Sequence, residues 1–176
     1  MARNITRQEV AEVRGFRLEE IMGAKGAHIA AEVIREALEK GLKIACIGGQ
    51  GTGKSLLMKV ILNEANYYEP ERTLDEAVEI REFKTANSNR LDFFVASAES
   101  GEELLKKMKE ITGKELISDM IVITREVDKD KGKYVKSIEE ITSNDGINIV
   151  NTLVELRKGK FNRVGDITIK RTVEER

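Results

Sequence analysis

The chain has 176 residues, enough for one domain with its own core and too few for two full domains. Apolar residues make up 40% and charged residues 35%, which excludes an intrinsically disordered chain, while a net charge of −1 excludes a global field for nucleic acid or an anionic membrane. No apolar run approaches the roughly 18 residues that span a bilayer, and the polar start Met1-Ala2-Arg3-Asn4 is not a signal peptide, so a cytoplasmic protein without direct nucleic-acid binding is expected.

In chain order, residues 1–26 read as an N-terminal extension to a domain over 27–176. From Ala27 to Lys40 the apolar positions Ile29, Val33, Ile34, Ala37 and Leu38 recur at helical spacing, and Gly41 is placed to end the helix. Leu42 to Ile47, containing the lone Cys46, suits a buried parallel strand running into a glycine cluster, with the thiol a small buried hydrophobe. Helical spacing resumes at Lys54 and continues through Leu62. Asn63 to Arg72 is polar, carries Pro70, and reads as a connection. Thr73 to Phe83 fits either an edge strand or a short helix.

Leu91 to Ala96 reads as a strand and Glu102 to Ile111 as a helix carrying Leu104, Leu105 and Met108. Beyond Ser118, strands are expected at Met120–Thr124, Tyr134–Ile141, Ile147–Leu156 and Ile167–Ile169. They are separated by turn-forming stretches at Asp128–Gly132, Asn144–Gly146 and Arg157–Lys160. The expected fold is α/β, with a parallel sheet core, helices on both faces and a C-terminal antiparallel meander.

The segment Gly48-Gly49-Gln50-Gly51-Thr52-Gly53-Lys54-Ser55 matches Gly-x-x-x-x-Gly-Lys-[Ser/Thr], the P-loop pattern. Glycines are needed because backbone N–H groups must wrap closely around phosphates. Lys54 is expected to reach the β- and γ-phosphates, and the Ser55 hydroxyl to ligate magnesium. The position of the motif between a buried-strand candidate and an amphipathic helix supports the reading, and the expected cofactors are ATP and Mg2+. The lone His28 reads as a helix-surface residue, with no zinc spacing around it.

From Ile34 to Leu62 the chain resembles the motor domain of the type II and type IV secretion, pilus and conjugation ATPases, a RecA-like P-loop NTPase family. That family carries an acidic box after its P-loop helix, and Thr73-Leu74-Asp75-Glu76-Ala77-Val78-Glu79-Ile80 is similar. The resemblance implies that Asp75, with Glu76 beside it, polarises the attacking water; the same residues also read as a solvated acidic helix start. Glu99 to Leu105 resembles the stretch after the family's histidine box, which puts Ser97 where a histidine normally stands.

Between the acidic box and Ser97 the family inserts its Walker B strand, and Arg81 to Ala96 leaves no room for it. Arg7 to Gly15 resembles that missing segment, placed before the P-loop. On this reading Glu12 is a carboxylate near magnesium; otherwise the stretch is an exposed N-terminal helix. The resemblance implies a homo-oligomer, a hexameric ring with Arg72 or Arg81 as an arginine finger, working with secretion or pilus machinery at the inner face of the membrane. The shortened apparatus equally fits a nucleotide-binding assembly or regulatory subunit with little hydrolysis. A small P-loop kinase would need an acceptor pocket and lid arginines, for which no motif is present.

Overall fold

The computed structural model describes residues 2–68, 77–80 and 93–170. Asp75 and Glu76 lie outside the described residues, as do Arg72 and Arg81. The elements run β1 (Ala2–Asn4), α1 (Arg7–Glu12), α2 (Leu18–Ile21), α3 (Ala27–Glu39), β2 (Ile44–Gly48), α4 (Lys54–Tyr68), β3 (Ala77–Ile80) and β4 (Phe93–Ser97). They continue with α5 (Gly101–Thr112), β5 (Met120–Asp128), β6 (Gly132–Asn144), β7 (Ile147–Arg157) and β8 (Lys160–Arg163).

All the strands join one sheet of order β1-β3-β4-β2-β5-β6-β7-β8. The block β3, β4, β2 and β5 is parallel, and the strands from β5 to β8 form an antiparallel meander. The parallel strands at the centre are apolar on both faces, because both are covered by helices. On one face Ile44, Cys46, Phe93, Val95, Ile121 and Ile123 pack against Val33, Ile34 and Ala37 of α3 and Leu57, Val60 and Ile61 of α4. On the other, Ala45, Ile47, Phe94, Ala96, Met120 and Val122 meet Leu104 and Met108 of α5.

Local chemistry accounts for the helix ends. Gly41 takes a left-handed conformation, φ 68°, and a paired cap forms as Gly41 N donates to Leu38 O and Leu42 N to Ala37 O. This turns the chain from α3 straight into β2. At the start of α5 the Ser100 hydroxyl accepts from Glu103 N, while the Glu103 carboxylate reaches back to Glu99 N.

The meander is set by its turns. Asp145-Gly146 and Lys158-Gly159 both have positive φ, as two-residue hairpins of matching twist require. The Asp128 carboxylate accepts from Asp130 N and Lys131 N and shapes the turn between β5 and β6.

Several expectations are corrected. Asn63 does not begin a connection: α4 continues to Tyr68, its apolar face extended by Ala65. Ile167–Ile169 is not a strand. Its backbone is bound by a side chain instead, with Thr168 N and Oγ1 donating to the buried Glu140 carboxylate. Among the described residues the meander's last strand is β8, made by the Lys158-Gly159 hairpin. The ambiguous stretch 73–83 contains a strand, β3, in its described part.

Residues 2–26 are woven into the same body. β1 pairs with β3, and Ile5, Val10, Val13, Leu18 and Met22 belong to the core shared with α3 and α4. Arg7–Glu12 is a helix, capped by the Thr6 hydroxyl, which is the second of the two alternatives given for this stretch.

Candidate functional site

The site candidate is the turn from β2 into α4. β2 is central and parallel to both neighbours, so the C-terminal ends of β2 and β4 meet here beside β5, where open α/β sheets place their ligands. Gly48 pairs in register with Ser97 of β4 on one side and Arg125 of β5 on the other.

The loop is closed by its own hydrogen bonds. The Thr52 hydroxyl donates to Gly49 O at 2.9 Å, and the Lys54 ammonium donates to the same carbonyl at 3.0 Å. Leu57 N donates to Gly53 O at 3.1 Å, so the helical ladder begins at Gly53 and the first-turn amides of α4 face the loop. Gly53, φ 83°, is in the left-handed region that lets the chain enter α4 at this angle. Thr52 is buried, Gly49 and Gly53 half-buried, and Gln50 and Gly51 exposed. A side chain on Gly51 would meet nothing within 4 Å, so the mouth of the loop is open.

Of the expected residues, Gly48 to Ser55 come together in one continuous turn, with Lys54 folded over it and Ser55 half-buried in the first turn of α4. Ser97 ends β4 beside Gly48; its side chain carries no base, and its carbonyl accepts from Lys107. Glu12 is not brought to the loop end of α4. It is exposed on α1, whose Val10 carbonyl accepts from Asn63, about 12 Å along α4 from Ser55 at roughly 1.5 Å per residue. His28 is exposed on α3. Among the described residues no three His, Cys, Asp or Glu side chains gather as a metal site. A magnesium ion here would rely on the Ser55 hydroxyl and the oxygens of a bound phosphate chain, a coordination that suits this hard, hydrated ion.

Two residues that sequence reasoning passed over also reach the loop. Arg125 is 3% exposed, and its Nε donates to Thr52 O at 3.1 Å. Lys133, at the start of β6, lays its stem against Gly53, its Cδ 3.2 Å from where a Gly53 Cβ would stand. A register shift at Thr124/Arg125 bends β5 beside the loop. The available signal was positional: Arg125 is the first charge after an apolar strand, as the glycine loop is the first break after Ile47.

Cys46 lies beneath the loop and is fully buried, and that burial pushes its thiol pKa up, which suits packing rather than reactivity. Among the described residues, no helix is long and apolar enough to cross a membrane. No protein-family model matches the chain, and no curated protein matches it.

Proposed function

We propose that this protein binds a magnesium–nucleoside triphosphate, with ATP the expected nucleotide, at Gly48–Ser55 on a RecA-like P-loop NTPase fold. The observation that carries the reading is the seating of the complete Gly-x-x-x-x-Gly-Lys-Ser pattern between a central parallel strand and the N-terminus of α4. In that setting the loop amides and the helix dipole favour an anion. Lys54 would exchange the Gly49 carbonyl for β- and γ-phosphate oxygens, and Ser55 would hold the magnesium ion. Calorimetric titration with a magnesium–ATP analogue tests it: saturable binding is expected for the wild type and loss for Lys54→Ala. No binding by the wild type at millimolar nucleotide would overturn it.

Turnover is a separate matter. A reduced secretion-type ATPase assembled as a ring at the inner face of the membrane is supported by the resemblance of Ile34 to Leu62 and of the acidic stretch holding Asp75 and Glu76. The other reading, a nucleotide-bound assembly or regulatory subunit, is favoured by Ser97 standing beside Gly48 and by Glu12 lying on the surface of α1. Steady-state phosphate release by the wild type, with Lys54→Ala as blank, decides between them. Light scattering with and without ATP tests the ring.

A further inference from the structure

Arg125 is a buried cation with no counter-ion among the described residues. Among the described residues it forms no ion pair, and its hydrogen-bond partners are both backbone carbonyls: Nε donates to Thr52 O at 3.1 Å, and Nη1 donates to Ile21 O. Taking a guanidinium out of water against two neutral carbonyls is costly unless something else compensates the charge. Burial accordingly pulls its pKa down. The remaining amino group, Nη2, has no partner among the described residues and lies 3.0 Å from where a Gly53 Cβ would stand. A guanidinium offers five N–H donors in a rigid fork, and the two on Nη2 lie beside Gly53 of the loop.

Lys133 approaches the same glycine from the neighbouring strand. Lys133 is exposed as a residue, and the contact it makes with the loop is through its stem. Two cations from adjacent strands, β5 and β6, thus converge on the last glycine before Lys54. In the nucleotide-binding reading, on which this inference rests, the backbone around that glycine cradles the α- and β-phosphates.

We propose that Arg125 and Lys133 form a second cationic wall of the site, supplied by the chain itself, which binds the α,β-diphosphate unit of a nucleotide. Arg125 also joins the N-terminal segment to the loop, since one guanidinium holds both Ile21 and Thr52. Because the contact is to the diphosphate unit, nucleoside di- and triphosphates gain equally from it. A γ-phosphate sensor would discriminate between them.

The test compares ADP and a non-hydrolysable ATP analogue, each with magnesium, on wild type, Lys133→Ala and Arg125→Lys over a range of salt. Lys133→Ala removes a packed stem as well as a charge, so melting temperatures recorded beside the titrations separate lost packing from lost binding. Its affinity for both nucleotides is expected to fall about three- to fivefold, with a shallower salt dependence. Arg125→Lys keeps the charge but loses the fork, and is expected to weaken both about tenfold. Wild-type affinity in both variants, or a loss confined to the triphosphate, overturns the second wall. If the wild type itself binds neither nucleotide, the nucleotide reading fails and the wall with it; wild-type binding with unaffected variants sinks the wall alone.

Discussion

The Thr52 hydroxyl oxygen stands 2.5 Å from the position a Cβ would occupy on Gly48, and the Arg125 carbonyl stands 2.6 Å from it. The loop folds back so tightly over the end of β2 that only a hydrogen fits there. Gly49, one residue on, has nothing nearer than the Thr52 methyl at 4.0 Å. Gly48→Ala is therefore expected to cost about 1–3 kcal/mol through forced displacement of Thr52 and β5. Gly49→Ala should stay within about 0.5 kcal/mol of wild type, as open sites do. Urea unfolding of the two variants measures the contrast, and equal stabilities would show that the loop is looser than described.

Arg35 joins three elements: its guanidinium pairs with Glu64 of α4 at 2.8 Å and with Glu19 of α2. The hydrogen bond from Arg35 holds the Glu19 carboxyl down at about 2, against an ordinary 4.5. A carboxylate depressed in the folded state stabilises the fold above its unfolded pKa, and that contribution is lost as pH falls through the folded value. Wild type is thus expected to lose stability between about pH 4.5 and pH 2 through this residue. Glu19→Gln should cost about 1 kcal/mol at neutral pH, as expected for a partly exposed pair, and should narrow its deficit towards pH 2. Denaturant melts at stepped pH give both numbers.

Glu140 is fully buried on β6, and its two carboxylate oxygens accept from Thr168 N at 2.9 Å and Thr168 Oγ1 at 2.6 Å. This clamp seats Ile167 and Ile169 in the core without a strand. Glu140→Ala removes both hydrogen bonds, and since Thr168 is exposed and water can take the place of the carboxylate, it should cost about 1–2 kcal/mol. Amide exchange in residues 164–170 is expected to rise ahead of the rest of the chain. Uniform exchange would mean that the segment is held by its isoleucines alone.

Much of this architecture was legible in the sequence. Apolar periodicity marked α3, β2, α4 and α5, and the Asp145-Gly146 and Lys158-Gly159 pairs marked hairpin turns by their tolerance of positive φ. The errors came where tertiary partners override local pattern. Ile167 and Ile169 alternate like a strand, yet a distant carboxylate takes the backbone of Thr168. For Arg7 to Gly15 the resemblance and the residues pointed different ways, and the helix alternative, which the spacing of Val10 and Val13 suits, is the one that forms. The glycine loop was legible because its chemistry is contiguous. Arg125 and Lys133 were not, because they reach Gly53 only once β5 and β6 are laid beside β2.

The account stands on nucleotide engaging the loop itself, and residue-resolved amide exchange with and without a saturating magnesium–ATP analogue measures that directly. Protection is expected to rise at the amides of Gly49 to Ser55, and Lys54→Ala should abolish the change. Unaltered exchange across Gly49–Ser55 at saturating nucleotide would contradict it.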